Sequence, residues 1–273
     1  MRLTDTHCHL DSHKFDPDRA ETIQRAKDAG LVRILVPGLD HISSAAAVRL
    51  AESVPVVYAA AGFHPTDLDK FSEAAFQQIK ELAARPKVVA VGEIGLDYYW
   101  VKEAEKRAVQ RETLRQQLQF AAEIQKPVVI HMREEGDAWT GAASQDLLEI
   151  LAEWRRGLSS PLRERPGVLH SFNGDLETAQ RALALNFFIG VTGPVTYKNA
   201  DKKREIIRQL PMSQLLIETD APFLTPAPQR GKRNEPAYVL HIADKIAEIH
   251  SKSPAEVASV TTANAARLFA WGD

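Results

Sequence analysis

The segment DTHCHLD, residues 5–11, sets His7 and His9 two positions apart. In an extended chain residues i and i+2 share a face, with Cα atoms roughly 6–7 Å apart, so two imidazoles there can converge on one metal ion. Cys8 between them points the opposite way and reads as a packing residue. Further ligand-type residues stand at the ends of later apolar runs: His64 in GFHP, Glu93 in GEIGLD, His131 in VIHMR, His170 in VLHSF and Asp220 in ETDAP. Apart from His64, they give four histidines and two carboxylates, more than one tetrahedral ion needs. The expectation is a two-metal site in which Glu93 bridges, His7, His9 and Asp220 complete one ion, and His131 and His170 hold the other. Two ions about 3.5–4 Å apart clamp the attacking and leaving oxygens of a displacement and lower the pKa of a water between them. Mixed imidazole and carboxylate donors suit Zn, Mn or Co, with Mg also admitted, so one or two divalent ions are the expected cofactor.

These residues need a frame that brings distant strand ends together. Eight β-rich runs recur along the chain: 3–9, 33–39, 56–63, 88–95, 127–132, 167–172, 187–193 and 215–221. Several are nearly continuous in Val, Ile and Ala, as in parallel strands buried on both faces. Amphipathic segments such as DRAETIQRAKDAG, ending in Gly30 as a C-cap, and EAAFQQIKELAAR separate them. Strand-then-helix repeated eight times, with no linker or composition break, predicts an α/β fold of the TIM (β/α)8 barrel type spanning 1–273 as one domain. In such a barrel function gathers at the C-terminal ends of the strands, and six of the eight runs end in a histidine or a metal-type carboxylate. An open doubly wound sheet binding a dinucleotide is disfavoured by the lack of a G-x-G-x-x-G turn after the first strand. The tail reads as a last helix with Ser253 as N-cap, Pro254 at its first position and Glu256 closing a capping box, packed on the barrel wall. His13, His41, His241 and His250 fall outside the strand ends and read as surface residues.

The chain has 273 residues, 44% of them hydrophobic and 26% charged, which supplies a large core and excludes a disordered chain. A single cysteine excludes an intrachain disulfide framework and points to a reducing compartment, and neither a signal peptide nor an apolar membrane-spanning run is evident. A cytoplasmic monomer is expected. The formal net charge of −2 gives no global pull on nucleic acid, so any such contact must be local. Two basic clusters qualify, Lys198, Lys202, Lys203 and Arg204, and then Arg230, Lys232 and Arg233.

Taken in order, DTHCHLD, GFHPTD, VGEIGLDYY, VIHMR, LHSFNGD, IGVTGPVTYKNA, LLIETDAPFL, RGKRNEP and NAARLF resemble the TatD family of metal-dependent deoxyribonucleases over nearly the whole chain. The resemblance implies a TIM barrel, one or two divalent metals, and hydrolysis of phosphodiester bonds, typically exonucleolytic on DNA. It makes His7, His9, Glu93, His131, His170 and Asp220 the metal ligands and places His64 near the substrate, with single-stranded DNA or another nucleic acid as the partner. Asp220, Glu93 and His64 are the expected catalytic residues, Asp220 taking the proton of a metal-activated water. Arg133, Arg230 and Lys232 are expected to meet phosphates, and Asp5 to orient His7. Tyr98, Tyr99 and Trp100 are aromatic candidates for base stacking, unassigned from sequence.

One stretch departs from the family pattern. REEGDAWTGAASQ intervenes after VIHMR, and its Glu134, Glu135 and Asp137 are expected to repel a phosphate backbone. That leaves a second function class open, hydrolysis of a carboxyl derivative such as an amide, a lactone or an aminoacyl-tRNA ester. A binding protein with a dead site is a third, disfavoured because no ligand position is missing.

Overall fold

Each β-branched run becomes a strand whose two faces are both covered, and the eight strands form one parallel sheet in the order β1 to β8 in the computed structural model, which describes residues 1–271. The strands are β1 (Leu3–Asp5), β2 (Leu31–Pro37), β3 (Val57–Ala61), β4 (Val88–Asp97), β5 (Val128–Arg133), β6 (Gly167–Leu169), β7 (Phe188–Val191) and β8 (Leu215–Ile217). Helices α1 (Arg19–Asp28), α2 (His41–Ser53), α3 (Glu73–Ala83), α4 (Ala104–Glu123), α5 (Ala142–Arg156), α6 (Leu176–Ala184) and α7 (Asp201–Gln209) connect successive strands, and α8 (Val239–His250) and α9 (Pro254–Phe269) follow β8. This is the (β/α)8 barrel expected. No helix of the described residues is long and apolar enough to cross a membrane.

The regular ladder is shorter than the apolar runs at the site end. β1 stops at Asp5, β6 at Leu169 and β8 at Ile217, so His7, His9, His170 and Asp220 lie just beyond it. Backbone bonds still close the ring there: Thr6 N–H donates to Ile217 O (3.2 Å), Asp220 N–H to His7 O (2.8 Å) and His9 N–H to Ala221 O (2.7 Å). Cys8 bridges Ala221 in the same seam and is fully buried, the packing role expected of it.

Two layers of core fix the frame. Outward-facing residues such as Ile34, Val36, Ala59 and Ala61 pack under the helices, whereas Leu35, Ala60, Ala90, Val129, Val168, Phe188 and Leu216 form a separate interior cluster. Burying each large side chain of that cluster contributes about 1.5–3 kcal/mol. The interior cluster is completed by Leu268, Phe269 and Trp271. The end of α9 therefore closes the floor of the barrel in addition to packing on its wall. Ser253 caps α9, with Pro254 at its first position and Glu256 completing the capping box.

Candidate metal centre

Glu93 reaches the barrel mouth because its strand is irregular there. The pairing of β4 with β5 shifts register between Val91 and Ile94, a bulge that re-aims the side chain, and Glu93 N–H donates to Gly38 O at 2.9 Å. Gly95, at φ +152°, lies against the His131 backbone carbonyl so closely that any Cβ would collide with it. The close approach that sets His131 beside Glu93 thus requires glycine.

The two oxygens of Glu93 face two groups of imidazoles. Oε2 lies 3.2 Å from His7 Nε2 and 3.8 Å from His9 Nε2. Oε1 lies 2.9 Å from His131 Nδ1, 3.5 Å from His64 Nε2 and 3.9 Å from His170 Nε2. Asp220 Oδ1 adds contacts of 3.8 Å to His7, 3.5 Å to His9 and 3.9 Å to His170. All six residues expected as ligands therefore converge, and His64 joins them.

The donor set fits an ion. Four donors held at 2.0–2.1 Å in a tetrahedron stand roughly 3.3 Å apart. Among His7 Nε2, His9 Nε2, Glu93 Oε2 and Asp220 Oδ1, the five measured separations run from 3.2 to 3.8 Å. Around Glu93 Oε1 the nearer partners are His131 and His64, while His170 stacks on His7 with ring centroids 3.4 Å apart and groups with His7 and Asp220.

Electrostatics separate the histidines. Burial, with the neighbouring His170, lowers His7 to about 4, so its ring is neutral at pH 7. Burial also works against charge on His9, but Asp220 and Glu93 outweigh it and push His9 up to about 9. His131 is likewise pushed up to about 9, by Asp97 and Glu93 against burial. Glu93 is held well below the ordinary carboxylate range despite its burial, by the imidazoles of His7, His64 and His170 and the hydrogen bond from His131. Asp220 is lowered in the same way, chiefly by His9 acting against burial.

Two carboxylates that sequence reasoning missed hold the imidazoles in place. Asp97 Oδ2 lies 3.0 Å from His131 Nε2, and Glu218 Oε1 lies 3.0 Å from His170 Nδ1. Such partners fix which ring nitrogen faces a metal. Both were visible as residues at an even spacing from a singled-out carboxylate, Asp97 four after Glu93 and Glu218 two before Asp220. Asp5 acts otherwise than expected. It accepts from the backbone N–H of His7 (3.2 Å) and of Thr219 (2.9 Å), not from the His7 ring. Burial drives Asp5 up to about 8.

At the rim, several expected phosphate contacts are already engaged. Arg133 is paired with Asp137 through Nε (2.8 Å) and Nη2 (3.2 Å) and lies over Tyr99. Arg204 donates to backbone carbonyls of Val195 and Tyr197, Lys203 to Phe172 O, and Arg233 to Asp18. Arg230, Lys232, Lys198 and Lys202 face outward, Arg230 over the Tyr197 ring at 4.2 Å, Lys202 over the Trp139 ring at 4.4 Å and the Lys232 ammonium donating to Gln229 Oε1. The acidic insert is neutralised from within, contrary to its expected repulsion of phosphate. Glu134 is buried and accepts from Ala143 and Ser144 N–H at the start of α5, Glu135 pairs with Arg107, and Asp137 with Arg133. Tyr98 is buried and bonded to Asp146 and Arg111, which makes it a packing residue.

Comparison with known proteins covers nearly the whole chain. The family model described as TatD related DNase matches residues 4–270. A protein of Bacillus subtilis (strain 168) named uncharacterized metal-dependent hydrolase YabD is 43% identical over 267 residues, which cover 98% of each chain. A Citrobacter rodentium protein named 3'-5' ssDNA/RNA exonuclease TatD is 36% identical over 276 residues, 98% of this chain and 97% of its own. The crystal structure of YJJV, a TatD homologue from Escherichia coli K12, superposes with a TM-score of 0.86 at 33% identity and covers 98% of each chain.

Proposed function

This chain belongs to the TatD family of metal-dependent hydrolases, and from that premise we propose that it is a deoxyribonuclease that shortens single-stranded nucleic acid from an end. The observation that carries the reading is the two-faced carboxylate of Glu93, with His7 and His9 at one oxygen and His131 and His64 at the other, while His170 groups with His7 and Asp220. A donor set split in this way suits two ions side by side, the arrangement that serves in-line displacement at phosphorus. The name of the Citrobacter relative supports a nucleic-acid substrate.

We assign His7, His9, Glu93, His131, His170 and Asp220 as the residues that would hold the metal, which is Zn, Mn, Co or Mg by donor type. Bound there, divalent ions supply a water of lowered pKa and offset the charge that develops on the phosphoryl oxygens. Asp220, which is lowered in the metal-free centre chiefly by the hydrogen bond from His9 against burial, accepts the proton of the attacking water. His64, whose Nδ1 lies 2.7 Å from Thr66 Oγ1, directs Nε2 into the same space and bonds a phosphoryl oxygen. Arg230 and Lys232 meet phosphates further along the strand. Every donor comes from one chain, so a monomer suffices. The one cysteine being a buried free thiol supports a place in the reducing cytoplasm.

The test is hydrolysis of 3′-labelled and 5′-labelled single-stranded DNA with Mg²⁺, Mn²⁺, Zn²⁺ or EDTA, beside Glu93→Ala. Metal-dependent stepwise shortening that disappears in the variant is expected. Intact DNA with a protein that holds metal would move the assignment to carboxyl derivatives, with aminoacyl-tRNA esters tried first.

A further inference from the structure

Among the described residues only two aromatic side chains are exposed, Trp100 at 66% and Phe223 at 49%, and both stand on loops at the catalytic end of the barrel. Trp100 follows β4 and Phe223 follows β8. In a ring of eight strands taken in sequence order these lie four strands apart, on opposite sides of the mouth.

Each residue is tied through its backbone amide to a residue of the centre. Phe223 N–H donates to Asp220 O at 2.9 Å, and its ring centroid lies 6.2 Å from that of His9. Trp100 N–H donates to Asp97 Oδ1 at 2.8 Å, and the other oxygen of that carboxylate holds His131. A cation accompanies each ring. Lys14 Nζ lies 4.7 Å from the Phe223 centroid, and Arg133, itself paired with Asp137, lies 5.8 Å from the Trp100 centroid.

Exposed aromatic faces beside cations, on the rim of a centre proposed to cleave phosphodiesters, have the chemistry that binds unstacked bases and their backbone. Resting on the nuclease reading above, we infer that Phe223 and Trp100 are base-stacking platforms that grip the substrate strand on the two sides of the scissile phosphate. The bases of a duplex are already stacked on one another, so the two platforms select single strands and frayed ends.

The experiment compares kcat/KM for a short single-stranded DNA with that for a strand of equal length carrying tetrahydrofuran abasic residues at the cleaved end. The ratio is measured for the wild type, Trp100→Ala, Phe223→Ala and the conservative Trp100→Phe and Phe223→Tyr. Stacking is worth ~1–3 kcal/mol per base. Each alanine variant is therefore expected to lose the preference for the base-bearing strand by about 5- to 150-fold, and the aromatic replacements to restore most of it. An unchanged ratio overturns the inference, even where both rates fall together, since a purely structural role would lower both alike. If the wild type cleaves neither strand the nuclease reading fails by itself, and anisotropy of the labelled base-bearing strand in EDTA then decides the platforms. Weaker binding by both alanine variants supports them, and equal binding overturns them.

Discussion

Asp97 Oδ2 stands 3.0 Å from His131 Nε2, which leaves Nδ1 as the ring nitrogen that faces Glu93 at 2.9 Å. The same pattern recurs across the mouth, where Glu218 takes His170 Nδ1 and leaves Nε2 facing the centre. The imidazoles are thus oriented by buried carboxylates before any ion arrives.

Replacing Asp97 by Asn keeps a hydrogen-bond acceptor and removes the charge that polarises the imidazole. Loss of such a partner typically costs about 10–100-fold in metal affinity or activity. Asp97→Asn is expected to raise the metal concentration for half-maximal hydrolysis by about that factor, with most of the rate recovered at saturating metal. A titration curve that superposes on the wild type would show that Asp97 does not act through His131.

The titration behaviour of the centre predicts how the metal-free protein responds to alkali. His9 and His131 are raised from 6.5 to about 9. A histidine raised on folding contributes its stability in full below the unfolded value and loses it as the pH climbs through the folded one. Asp5, raised from 3.8 to about 8, runs in the same direction, losing its contribution as the pH rises through 8. In EDTA the Tm should therefore fall between pH 6.5 and pH 9. Divalent metal replaces the protons on His9 and His131, so in its presence the fall should shrink, and apparent affinity should rise about tenfold per pH unit for each proton displaced. Thermal scans at three pH values check this, and a metal-free Tm that stays flat or rises would refute it.

Much of the site was legible because strand ends are marked by residue type. The runs at 127–132 and 88–95 end near His131 and Glu93 in sequence, whereas the strands run on to Arg133 and Asp97, so a register shift in β4 and not a strand end brings Glu93 to the centre. What stayed hidden depends on partners distant in the chain. Arg133 reads as a free phosphate clamp until the turn at 135–137 places Asp137 against it. The charges of Glu134 and Glu135 read as repulsive until α5 supplies the N–H groups of Ala143 and Ser144 and α4 supplies Arg107. Asp97 and Glu218 were in view as letters, but spacing alone could not tell a residue that would hold metal from one that holds an imidazole.

Glu134 accordingly belongs to folding and not to substrate exclusion. Its carboxylate accepts from Ala143 N–H at 3.0 Å and Ser144 N–H at 2.6 Å, satisfying two amides at the start of α5 that would otherwise lack partners. Glu134→Ala is expected to cost about 1–2 kcal/mol in denaturant unfolding, as for loss of an N-cap, while leaving the salt dependence of DNA hydrolysis unchanged. A stable variant with tighter DNA binding would restore the repulsive role.

The two oxygens of Glu93 face His7 and His9 on one side and His131 and His64 on the other, which would let the carboxylate lie between two ions. Anomalous diffraction from crystals grown with Mn²⁺ tests it directly. Two peaks about 3.5–4 Å apart are expected, one beside His7 and His9 and one beside His131, with the Glu93 carboxylate between them. A single peak at full occupancy under saturating Mn²⁺, or a second peak out of reach of Glu93, would contradict it.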